Sequence, residues 1–145
     1  MLYSRKIQKL YVIAIIFMVS GLSSLSVNAQ AKNVTPMSVE AEAIVNRYFT
    51  ALIDGKTDSL RILLGPKLQK RNARMLSNPA YRLKLHEFYR DAEYTIKGSD
   101  TLDATTVAVN VEVKYSNEET SQLRFILKKV GQSAMRIYAE EHPLN

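Results

Sequence analysis

The chain has 145 residues, no cysteine and a formal charge of +6, from 20 Lys and Arg against 14 Asp and Glu. Without cysteine there are no disulfide staples, no thiolate metal ligands and no lipoprotein processing residue, so a fold of this length must be held by its own core. Residues 1–9 carry Arg5, Lys6 and Lys9 and no acid, residues 10–19 are apolar, and residues 21–29 are rich in small side chains. That order is a basic n-region, an h-region and a cleavage zone, with Val27 and Ala29 at the −3 and −1 positions of an export signal.

The apolar run is shorter than the roughly 20 residues a spanning helix needs, and Ser20, Ser23, Ser24 and Ser26 make the adjoining stretch polar. The expectation is a cleaved signal peptide over residues 1–29 and a soluble periplasmic or secreted protein. Removal of that segment leaves 116 residues, one domain's worth, with 17 basic and 14 acidic side chains, a net charge of only +3. Such a charge, outside the cytoplasm, speaks against nucleic acid as a partner.

Residues 30–37 read as an N-terminal arm, residues 38–141 as a single α+β domain and residues 142–145 as a tail. Thr35 or Ser38 can cap the first helix, with Pro36 suited to its first turn. Ile44, Val45, Tyr48, Phe49, Leu52 and Ile53 then recur at three- and four-residue spacing, and Gly55 ends the stripe as a C-terminal cap. Thr57 caps a short second helix whose Leu60, Leu63 and Leu64 face inward, and Gly65 with Pro66 stops it. Residues 67–77 form a third helix. Asn78 and Pro79 cap a fourth that runs to about Arg90, with Tyr81, Leu85 and Phe88 or Tyr89 on its buried face.

From Ala92 onward the period changes to 2. Tyr94 and Ile96 mark a short first strand. Val107, Val109, Val111, Val113 and Tyr115 alternate with polar residues in the second, Leu123, Phe125 and Leu127 in the third, and Met135, Ile137 and Ala139 in the fourth. With the apolar positions of the last three strands odd-numbered, paired residues there sum to an even number, which favours loops of three or five residues around Asn117 and Gly131. Gly131 suits a left-handed bulge position. Helices that precede a four-stranded antiparallel meander bury both halves only by packing on its one apolar face, an α+β two-layer domain.

The run Tyr48-Phe49-x-Ala51-Leu52-x-x-Gly55-Lys56-Thr57-Asp58-x-Leu60-x-x-Leu63-Leu64 resembles the opening helices of nuclear transport factor 2-like domains. The resemblance covers about residues 38–141 and includes small exported bacterial members of unknown function. It implies a cystatin-like α+β cone with a curved four-stranded sheet. It also implies either a pocket between helices and sheet, as in ketosteroid isomerase-like and polyketide cyclase-like enzymes, or a domain with no chemistry.

Proton abstraction needs an acid or base on the pocket wall. The expected inner face of the sheet offers no carboxylate, because Glu140 falls with Tyr138 on the outer face, and the Asp base and protonated Asp of the ketosteroid isomerase type find no counterpart there. The remaining catalytic candidates are His86, Tyr89 and Asp91, near the end of the fourth helix, where a histidine can be oriented by a carboxylate. His142 lies in the tail. With two histidines 56 positions apart and no cysteine, no metal site and no cofactor is expected.

Tyr48, Phe49, Tyr94 and Tyr115, with Tyr81, Phe88 and Tyr89, are candidates to line an apolar ligand pocket. Lys67, Lys70, Arg71 and Arg74, at i, i+3, i+4 and i+7 with no acid near, make a basic helix face for an anionic glycan or lipid. Asn110, Glu112, Lys114, Gln122, Arg124 and Lys128 leave the outer face of the sheet polar and mixed in charge, which suits a monomer or a weak homodimer. The expectation is a non-catalytic binding or accessory domain, with a small-pocket enzyme using His86 and Asp91 as the alternative.

Overall fold

A computed structural model describes residues 35–143, so the expected signal peptide, residues 30–34 of the arm and the last two residues of the tail lie outside the described residues. The described chain is α+β: α1 (Pro36–Ile53), α2 (Thr57–Leu63), α3 (Pro66–Leu76) and α4 (Pro79–Tyr89) precede β1 (Glu93–Thr101), β2 (Thr106–Lys114), β3 (Thr120–Lys128) and β4 (Arg136–Glu141). The strands form one antiparallel sheet in the order β1-β2-β3-β4. Among the described residues no helix is long and apolar enough to cross a membrane.

Thr35 caps α1. Its Oγ1 accepts from the Ser38 amide at 3.1 Å, and Ser38 Oγ donates to the Thr35 carbonyl at 2.8 Å, so the buried serine hydroxyl is satisfied within the turn. The helix starts inside the expected arm because Pro36 occupies its first position. At the other end the Gly55 amide donates to the Leu52 carbonyl at 3.1 Å and the Lys56 amide to the Ala51 carbonyl at 2.8 Å, with Gly55 at φ +63°. This is a Schellman closure. The Leu60 amide then donates to the Lys56 carbonyl, which makes Lys56 the residue that opens α2 and places Thr57 inside the helix rather than at its cap.

Leu60, Leu63 and Leu64 are buried as expected. Leu64 leaves α2 in an extended conformation and bridges Ile137 in parallel, and the Gly65 amide donates to the Ile137 carbonyl at 2.7 Å. A Cβ on Gly65 would lie 3.0 Å from the Tyr138 ring, so this close approach of backbone to β4 depends on glycine. Asn78 caps α4 through its Oδ1, which accepts from the Ala80 amide at 3.0 Å. Leu85 is the one residue of α4 that is buried outright.

Val107, Val109, Val111, Val113, Leu123, Phe125, Leu127 and Ile137 all turn toward the helices and are buried. Phe49 of α1 stacks on Tyr94 with ring centroids 4.4 Å apart and meets Phe125 edge-on at 5.8 Å, which joins helix, β1 and β3 at one point. The β2–β3 loop has five residues, 115–119, as parity requires. The β3–β4 connection keeps the odd parity but runs to seven, 129–135, because Met135 is buried in the loop rather than paired in the strand; Gly131 there has φ +60°.

Two register shifts break the simple alternation. In β1, Ile96 pairs with Val111 and Gly98 with Asn110, so Lys97 is an extra residue, and even-numbered Tyr94 and Ile96 reach the same face as the odd-numbered valines. In β4, Ile137 pairs with Leu127 and Ala139 with Ile126, so Tyr138 is the extra residue. The outer face stays polar: Gln122 donates to Glu112 at 2.7 Å, and Lys97 lies 2.9 Å from the same carboxylate.

Gly55 and Gly131 share a left-handed φ but differ in surroundings. A Cβ on Gly55 would meet the Arg82 carbonyl at 2.8 Å and His86 Cβ at 3.2 Å, whereas one on Gly131 meets nothing within 4 Å. Gly131→Ala should cost about 1 kcal/mol from backbone strain alone, and Gly55→Ala about 2–4 kcal/mol because α4 must also move. Urea unfolding of the two variants, with unchanged m-values, checks the order; equal losses would mean that the α1–α4 approach carries no constraint.

Candidate functional site

The extra residue in β4 decides what the helices face. Past Tyr138 the parity of the strand inverts, and Glu140 pairs with the inward-facing Phe125. The carboxylate therefore sits on the helix side of the sheet, not on the outer face where strict alternation puts it. Tyr48 of α1, packed against Phe125 with centroids 5.3 Å apart, donates its hydroxyl to Glu140 Oε2 at 3.2 Å. The other oxygen, Oε1, lies 3.8 Å from His142 Nε2 in the tail.

Around this pair α1, α3, α4 and β4 enclose an open groove of about 460 Å³. Its walls are Tyr48 and Leu52 from α1, Arg71, Asn72 and Met75 from α3, Tyr81, Lys84, Leu85, Phe88 and Tyr89 from α4, and Glu140 from β4. Seven of these eleven residues are aromatic or aliphatic, but the surface they present to the groove is more polar than apolar, because hydroxyl, amide and charged groups point into it. Arg71 and Lys84 are exposed, and no ion pair or hydrogen bond joins either to another side chain among the described residues.

The tyrosines of the groove are held as neutral hydroxyls. Burial pushes the Tyr48 phenol well above its usual range, and the Glu140 charge adds to the effect. Burial likewise raises Tyr89, reinforced by Tyr115 and then Glu140, and raises Tyr81, with Glu140 second. The site thus holds one carboxylate among three phenolic donors.

Of the residues expected to line a pocket, Tyr48, Tyr81, Phe88 and Tyr89 do. Phe49 is wholly buried in the core, Tyr94 stacks on it, and Tyr115 packs behind the groove against Phe88 and Tyr89, with centroids 5.2 and 6.0 Å away. His86, Tyr89 and Asp91 are not brought together. His86 Nδ1 donates to the Ile53 carbonyl at 2.7 Å and so ties α4 to the end of α1, Asp91 pairs with Arg90 at 3.0 Å in solvent, and only Tyr89 reaches the groove.

Lys67, Lys70, Arg71 and Arg74 are all exposed on α3, and Arg71 alone of the four lines the groove. Sequence reasoning missed Glu140, Lys84, Asn72 and Met75 as site residues. Among the described residues no three His, Cys, Asp or Glu side chains gather as metal ligands. No family model, curated protein or solved structure matches the chain.

The raised phenols give stability a defined alkaline limit. The unfolded tyrosines lose their protons near pH 10 while Tyr48 and Tyr89 keep theirs, so the unfolded state binds fewer protons above that pH. The stability they contribute is complete below about pH 10 and falls above it by up to about 1.4 kcal/mol per pH unit for each group. Tyr48→Phe with Tyr89→Phe should lose less stability than the parent between pH 9.5 and 11.5 in urea unfolding. Parallel curves would mean that neither hydroxyl is shielded.

Proposed function

We propose that this protein is an exported, non-catalytic binding domain of the cystatin-like, nuclear transport factor 2-like type, which holds a small molecule with an apolar body in the groove between α1, α3, α4 and β4. The observation that carries the reading is the groove itself, about 460 Å³, in which seven aromatic or aliphatic residues stand beside four polar or charged ones, with the Tyr48–Glu140 hydrogen bond at its sheet side. The order of four helices and a four-stranded meander supports the cystatin-like part of the reading, and the basic, apolar and small-residue order of residues 1–29 supports export to the periplasm or beyond.

The binding reading is favoured over an enzyme built on His86 and Asp91 because each of those side chains already has a structural partner and neither lines the groove. The exposed basic face of α3 suits an anionic glycan or lipid at the rim.

The neutral fluorophore N-phenyl-1-naphthylamine tests the groove. Its fluorescence should rise on binding to the protein, and Tyr81→Ala with Phe88→Ala should weaken that binding about tenfold, the loss expected from removing part of two ring contacts. His86→Asn should leave it unchanged. Binding that is indifferent to Tyr81 and Phe88, or absent, would rule the groove out as an apolar ligand site.

A further inference from the structure

The charges around the groove are divided. Glu140 stands on the β4 wall, with Tyr48 bonded to it and Tyr81 and Tyr89 close enough to feel its charge. Arg71 on α3 and Lys84 on α4 line the same groove from the helix side and have no ion pair among the described residues. A simple anion would meet Glu140, and a simple cation would meet Arg71 and Lys84. Only a ligand that carries both signs satisfies both walls.

The carboxylate wall also specifies the kind of cation. An inorganic ion or a bare ammonium keeps its water most cheaply in solution. An alkylated ammonium is weakly hydrated, gains dispersion and cation–π attraction from tyrosine rings and needs only one carboxylate as counter-charge. The anion end has two donors of different geometry, a guanidinium fork and an ammonium, on two helices, which fits a phosphate or a carboxylate.

We propose that the groove binds an organic zwitterion of the phosphocholine or betaine type. The alkylammonium lies between Glu140 and the side chains of Tyr48, Tyr81 and Tyr89, and the anionic end lies at Arg71 and Lys84. This rests on the small-ligand reading of the groove and names the ligand chemistry it selects.

Calorimetric titration of the protein at pH 8, above the ordinary range in which histidine gains a proton, and at low salt distinguishes the components. Phosphocholine should bind about tenfold or more tighter than choline or inorganic phosphate, and Glu140→Gln and Arg71→Ala with Lys84→Ala should each remove about tenfold of that affinity. Lys67→Ala with Arg74→Ala, on the same helix but outside the groove, should not. N-phenyl-1-naphthylamine binding reports whether each variant keeps its groove; if Glu140→Gln does not, Glu140→Asp replaces it, with the same loss expected from its shorter reach.

Phosphocholine that binds no tighter than choline or phosphate, or that is indifferent to both sets of changes, overturns the proposal. If the neutral probe binds and phosphocholine does not, the zwitterion assignment falls alone; if neither binds, the groove reading falls with it. Co-sedimentation with phosphatidylcholine vesicles separates the two sources: retention identifies a lipid headgroup, and binding of phosphocholine without retention identifies a free zwitterion.

Discussion

The site depends on one register shift. Without the extra residue Tyr138, strict alternation along β4 would turn Glu140 to solvent and leave the groove without a carboxylate on its sheet side. The shift sits beside the contact between the α2–α3 connection and β4, where the Leu64 bridge and the Gly65–Ile137 hydrogen bond give the outermost strand a second neighbour. Gly65 admits the Tyr138 ring at a distance that a side chain would block. A glycine between two helices thus lies against the very residue that inverts a strand, and the inversion supplies the groove with its one carboxylate.

α1 carries the rest. It meets β1, β2, α2 and α4, and its Phe49 and Tyr48 hold the two sides of the arrangement: Phe49 closes the core against Tyr94 and Phe125, while Tyr48 turns its hydroxyl to Glu140. Adjacent residues on one helix therefore serve packing and polarity separately. A fully buried ring keeps its position through contacts on every side, whereas a tyrosine at the edge of the core needs a partner for its hydroxyl, and the inverted strand provides it.

Much of the architecture is legible in the amino-acid pattern, and the reason is physical. The 3.6-residue stripe of α1, the Asn78–Pro79 start and the alternating valines of β2 are local rules that tertiary packing does not override. The site is less legible because a bulge has no side-chain signature of its own. A trace is nonetheless present in β1: even-numbered Tyr94 and Ile96 pair with odd-numbered valines in one register, and Gly98 marks where the register changes. No such glycine marks Tyr138, and simple alternation accordingly assigns Glu140 to the wrong face. His86 and Asp91 attract notice as chemistry-bearing residue types, but their hydrogen-bond partners, a main-chain carbonyl and a neighbouring arginine, are visible only in three dimensions.

The thin anchoring of α4 has a consequence for how the groove behaves in time. This helix contributes five of the lining residues, yet a single one of its side chains, Leu85, is buried outright, and its firmest ties, the His86–Ile53 bond and the close approach of Arg82 to Gly55, lie at the far end of α1 from the Thr35 cap. A wall with so few buried contacts opens at a lower free energy than the sheet it faces. The groove therefore has a hinged side and a fixed side, and any molecule that touches both converts a local opening into one that must also release the ligand. Occupancy would be recorded as slowed amide exchange in α4 before it was visible in the melting of the whole domain.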